Sequence, residues 1–98
     1  MPYHIHALDK PDSVEVRAAA RSAHLEYLEA NKGELMFAGA LLNDDGSVAH
    51  GSIYILKTNH RAEADAFIDG DPFAKAGLFK EVTITRQRAA FLNGEKLI

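Results

Sequence analysis

Eight consecutive residues, Leu35-Met36-Phe37-Ala38-Gly39-Ala40-Leu41-Leu42, carry no polar side chain. The run ends in Asn43-Asp44-Asp45-Gly46, which is turn chemistry, and leads into Ser47 to Lys57. The two segments read as strands two and three of a hairpin. Successive residues of a strand point to opposite faces, so Leu35, Phe37, Gly39 and Leu41 back onto Met36, Ala38, Ala40 and Leu42. Strand three likewise sets Ile53 and Ile55 against Tyr54 and Leu56. An antiparallel sheet with one wet face alternates polar and apolar residues. Here both faces need cover.

The flanking segments supply cover for one of them. Tyr3 to Leu8 reads as a first strand, closed by the polar Asp9-Lys10-Pro11-Asp12. A helix follows from Ser13 through Ala30, with Asp12 or Ser13 as N-cap and Gly33 as terminator. Thr58-Asn59 can cap a second helix over His60 to Ile68. Asp71-Pro72 has the form of an N-cap with proline at the first helical position, opening one more turn to Gly77. Phe79 to Arg86 reads as a fourth strand, and 87–98 is a tail of no assigned form. The order βαββαβ is that of a ferredoxin-like α+β sandwich, a four-stranded antiparallel sheet with helices on one face. With helices on that face only, the other is expected to pack on a second copy of the chain, giving a homodimer. The 98 residues suit a single domain, 1–98, with its core over about 3–86.

Charge and composition narrow the function. A hydrophobic share of 47% and a charged share of 26% are those of an ordinary globular protein. The net charge is -3 and the basic residues are scattered, so there is no footprint for a phosphate backbone and nucleic acid is not expected as a partner. The absence of cysteine removes disulfides, thiolate metal sites and cysteine nucleophiles. No signal-like N-terminus and no membrane-length apolar run are found, so the cytoplasm is the expected compartment, with no membrane partner. Gly39, Gly46 and Gly51 match neither a phosphate loop nor a nucleophile elbow. A small-molecule ligand in a pocket remains.

Arg17 and His24 are seven apart in the first helix, so at 100° per residue they stand about 20° apart on one face, two turns from each other. Histidine is the side-chain type suited to proton transfer near neutrality, and arginine is a permanent cation suited to an oxyanion or carboxylate. In the competing structural reading Arg17 pairs with Glu15, Glu26 or another surface acid and His24 is half exposed. Asp71 is a helix cap, and the same rigid corner at Pro72 also suits a carboxylate aimed at an imidazole. Asp9 is a turn residue or the anchor of an arginine. Ser52 is a buried serine satisfied by backbone or a donor to a substrate oxygen. His4 and His6 share a strand face but lack a third ligand, and no native metal site is expected.

Tyr3–Lys10, Arg17–Leu28, Ala38-Gly39-Ala40-Leu41, Gly51-Ser52, Asp69–Phe79 and Val82-Thr83-Ile84 together resemble the YCII-like family. Arg21-Ser22-Ala23-His24-Leu25 and Asp71-Pro72-Phe73-Ala74-Lys75-Ala76-Gly77-Leu78-Phe79 are the most specific pieces. The resemblance implies a dimeric α/β barrel built from ferredoxin-like subunits. It also implies a His24–Asp71 acid-base dyad, with Arg17 and Ser52 as oxyanion donors, Asp9 as anchor for Arg17 and Pro72 as the rigid corner. A dehydrochlorinase of a chlorinated hydroxyhydroquinone belongs to that family, so lyase-type chemistry on a phenolic or organic acid, needing no cofactor, is the first expectation. A non-catalytic small-ligand or accessory dimeric module is the alternative. Ser22 where the family often has proline, the His4/His6 pair, and the tail after Arg86 depart from the pattern.

Overall fold

Tyr3, Ile5 and Ala7, alternate residues of the first strand, are all buried, and the architecture is arranged around them. The computed structural model describes residues 1–98. In chain order the elements are β1 (Tyr3–Asp9), α1 (Val14–Ala30), a 3-10 turn (Lys32–Glu34), β2 (Leu35–Leu42), β3 (Ala49–Leu56), α2 (Arg61–Gly70), α3 (Pro72–Lys75) and β4 (Phe79–Arg86). A small hairpin, β5 (Phe91–Leu92) and β6 (Glu95–Lys96), gives form to the tail. The main sheet is antiparallel with strand order β2-β3-β1-β4. This is the α+β, ferredoxin-like arrangement.

Ile5 lies opposite Tyr54 on one side and Ile84 on the other, and residues directly opposed in an antiparallel pair share a face. The buried face therefore carries Tyr3, Ile5 and Ala7 of β1 with Tyr54 and Leu56 of β3, covered by Ala64, Phe67 and Ile68 of α2. The helix-free face carries Phe37, Gly39 and Leu41 of β2, Ile53 and Ile55 of β3, and His4, His6 and Leu8 of β1. Its β4 edge is polar, with Glu81, Thr83 and Thr85 opposite Leu8, His6 and His4. Phe37 remains about half exposed, at 52%.

Two irregularities change the expected faces of the hairpin. The β2–β3 register shifts between Leu35 and Phe37 and again between Leu41 and Leu42. Leu35 thereby sits opposite Leu56 and packs on the core, not with Phe37 on the open face. A bulge inserts one unpaired residue and reverses the alternation beyond it.

Local chemistry explains the boundaries. α1 stops at Asn31, not Gly33: the Asn31 side-chain amide and backbone N–H both donate to the Tyr27 carbonyl. Strand three begins at Ala49, not Ser47, because the turn is held from inside. Asn43 Oδ1 accepts from Val48 N–H, and Asp45 accepts from both the N–H and the hydroxyl of Ser47. The Ser47 hydrogen bonds hold the Asp45 carboxyl below its ordinary range. α2 runs two residues past Ile68, to Gly70. No helix is long and apolar enough to cross a membrane.

Candidate functional site

The one buried residue of α1 is a histidine, His24. The helix has exposed Val14, Val16 and Leu25, stands off from β2 and β3, and leaves a cavity of about 500 Å³ between itself and the sheet. Its walls are mostly apolar. The polar or charged side chains that reach it are Arg17, Arg21, His24, Ser47 and Ser52.

The Asp71 carboxylate, with no exposed surface, organises one wall. Oδ1 accepts from Phe73 N–H at 2.9 Å, which is the cap of α3, with Pro72 at its first turn. Oδ2 accepts from the Tyr54 hydroxyl at 2.7 Å. His24 Nδ1 lies 2.8 Å from Oδ1 and 3.0 Å from Oδ2. A carboxylate only accepts, so Nδ1 carries a proton, and in the neutral imidazole Nε2 is the nitrogen with the free lone pair. Every buried side-chain nitrogen and oxygen has a partner and Nε2 has none within the protein, so Nε2 is the ring nitrogen open to the cavity. Asp71 is thus both a cap and the partner of the imidazole, although 47 positions separate the two.

Phe73 sets the plane of the ring. It stacks on His24 at a centroid separation of 3.8 Å and an angle of 12°, and the Arg17 guanidinium lies over the same phenyl ring, 4.7 Å from its centre. Arg17 Nη1 donates to both Asp9 oxygens at 3.0 and 2.9 Å, while Nη2 donates to the Gly51 carbonyl and Ser52 Oγ at 3.1 and 3.0 Å. Glu15 and Glu26 are not its partners. Ser52 Oγ accepts from Arg17, and its single hydrogen can be donated either to the Tyr54 oxygen or to a ligand. Gly51 is tightly placed here: a Cβ would stand 2.7 Å from the Ala7 carbonyl oxygen.

The structure therefore brings together His24, Asp71, Arg17, Ser52, Asp9 and Pro72. His4 and His6 lie elsewhere, on the helix-free face. Three contributors were not singled out from sequence: Tyr54, Phe73 and Arg21. Tyr54 follows Ser52 by two residues and so shares its strand face, and Phe73 directly follows the Asp-Pro step; both signals were present. Burial pushes the Tyr54 phenol well above its ordinary range, with the Asp71 charge and hydrogen bond adding to it and Ser52 and Arg17 opposing. Tyr54 is held as a neutral donor.

The family model described as the YCII-related domain matches residues 1–88. Protein YciI of Escherichia coli O6:H1 is 35% identical over 98 residues, covering 93% of this chain and all of that protein. Among solved structures, 5-chloro-2-hydroxyhydroquinone dehydrochlorinase from Burkholderia phenoliruptrix AC1100, in complex with 2,5-dihydroxybenzoquinone, is 34% identical. It superposes with a TM-score of 0.83 over 90% of this chain and 94% of that one. A dimeric ferredoxin-like protein of unknown function from a Jannaschia species shares the fold at a TM-score of 0.52 and 16% identity, over 90% and 98% of the two chains.

Proposed function

The chain belongs to the YCII-related domain family, and on that premise we propose that it is a cofactor-independent, lyase-type enzyme acting on a phenolic or organic-acid substrate. The observation that carries this reading is the His24 imidazole, bound through Nδ1 to a fully buried carboxylate and open to the cavity at Nε2. His24 is the base. Asp71 holds its tautomer and stabilises the imidazolium that forms, and Pro72 keeps the carboxylate in place. Ser52 donates its hydroxyl to the substrate oxygen on which charge develops. Arg17, engaged with Asp9, Gly51 and Ser52, orients that hydroxyl and adds positive potential. A positioned base contributes about 10²–10⁴-fold and one oxyanion donor about 10²–10³-fold, enough for an elimination from an activated ring.

The dehydrochlorinase likeness suggests the reaction type. On a chlorinated hydroxyhydroquinone, two hydroxyl protons leave and one returns to the carbon bearing chlorine. Chloride then departs with the C–Cl electron pair. The net loss is HCl, and the quinone forms without an external oxidant. The half-apolar, helix-free sheet face and the dimeric ferredoxin-like neighbour support a homodimer packed sheet to sheet as a dimeric α/β barrel.

The test is to incubate the protein with chlorinated hydroxyhydroquinone and follow chloride release and quinone absorbance, with His24→Gln in parallel. Turnover that disappears in the variant while ligand binding persists is the expected result. Binding without consumption in the native protein would instead make the chain a ligand-binding module and overturn the enzyme reading.

A further inference from the structure

The chain is acidic overall, yet no aspartate or glutamate lines the cavity. Its titratable wall groups are two arginines and a histidine. Of the two guanidinium groups, Arg17 is neutralised by Asp9, and both its terminal nitrogens are engaged. Arg21 makes no ion pair: those of the chain are Arg17–Asp9, His24–Asp71 and Lys32–Glu29. It also donates no hydrogen bond within the protein, is exposed at the cavity wall, and follows Arg17 by one helical turn. One uncompensated, fully donating cation therefore borders an otherwise apolar pocket.

We propose that Arg21 is the ligand's anion-binding residue, and that the ligand class is a hydroxylated aromatic ring carrying an oxyanion, carboxylate or phenolate. Arg21 and His24 stand three residues apart on α1, with Cβ atoms about 5–6 Å from each other, which is about the span of a substituted benzene ring. The guanidinium fork takes a carboxylate in a bidentate fashion. The reacting hydroxyl then falls at Nε2, and Ala38, Ala40 and Leu28 receive the ring face. This deepens the function proposed above and rests on it only in placing the reacting hydroxyl at His24.

Binding measured without turnover tests it. The probes are 2,5-dihydroxybenzoate, its neutral methyl ester and hydroquinone, titrated by calorimetry and by amide chemical-shift changes into the native protein, Arg21→Gln, Arg21→Lys and His24→Gln. The native protein is expected to prefer the carboxylate over the ester by about tenfold or more, a preference that shrinks as ionic strength rises. Arg21→Gln is expected to abolish the preference, Arg21→Lys to keep part of it, and His24→Gln to leave it standing. Raising the pH until hydroquinone ionises separates phenolate from carboxylate recognition. Equal affinity for acid and ester, a preference unchanged in Arg21→Gln, or no binding of any probe at millimolar concentration would overturn the proposal. Arg21-dependent binding with no turnover of any substrate would sink the enzyme reading alone.

Discussion

Replacing Asp71 by alanine or by asparagine separates what the carboxylate does for the fold from what it does for His24. Three donors converge on it: Phe73 N–H, the Tyr54 hydroxyl and His24 Nδ1. Alanine orphans all three in a buried setting. Each unsatisfied buried group costs about 1–3 kcal/mol. The imidazole can recover part of this by changing tautomer, so about 3–6 kcal/mol is expected. That is a large share of the 5–15 kcal/mol typical of a domain, and near 4–8 °C of melting temperature is lost per kcal/mol at this size. Asparagine is nearly isosteric. Its carbonyl oxygen can keep the Phe73 and His24 hydrogen bonds, and its amide can face the Tyr54 hydroxyl, which rotates to accept. A cost of about 1–2 kcal/mol is expected, with the charge lost but the cap retained. Urea denaturation followed by far-UV circular dichroism gives both values, and the absence of tryptophan makes fluorescence the poorer probe. Imidazole nitrogen shifts should show Nδ1 protonated in the native protein and a mixture of tautomers in Asp71→Ala. An alanine variant that loses under 1 kcal/mol, or one with an unchanged tautomer, would refute the convergence argument.

The raised Tyr54 phenol gives a pH signature. Above its ordinary value of 10.0 the unfolded chain loses the proton while the folded chain keeps it. Stability is therefore intact below that pH and falls above it, by about 1.4 kcal/mol per unit; Tyr54→Phe should flatten the slope in alkaline denaturation, though Tyr27, also raised by burial, will keep some of it. Gly51→Ala forces a Cβ to within 2.7 Å of the Ala7 carbonyl, so a loss of about 1–3 kcal/mol is expected, together with backbone shifts at Ala7 and Ser52 in amide spectra. For the proposed homodimer, light scattering should give about twice the 10.7 kDa chain mass, and Ile53→Asp on the helix-free face should reduce it to the monomer; a native monomer at millimolar concentration would remove the sheet-to-sheet arrangement.

The element order, the four strands and the Asp71 cap were legible because they rest on local rules: periodicity, turn residues, and an aspartate before proline. The face shared by Arg17 and His24 is helical arithmetic. Other features depended on partners distant in sequence. That Arg17 takes Asp9 over Glu15 or Glu26 depends on where the end of β1 meets α1. The bulges that turn Leu35 inward come from strand register, which no property of β2 alone decides. Asn31 ends α1 because its side chain reaches back to the Tyr27 carbonyl, an option that competed unseen with Gly33.

The sequence by itself determined the alternation of strands and helices and supplied chemically apt residues, His24 and Asp71 among them. Only the tertiary structure decided that a carboxylate on the turn after α2 meets an imidazole on α1. Only it left α1 standing off β2 and β3, so that the histidine faces a cavity. The physical reason is that local preferences act over a few residues, whereas the position of a buried charge is set by the donors that must surround it, here contributed by α1, β3 and the start of α3.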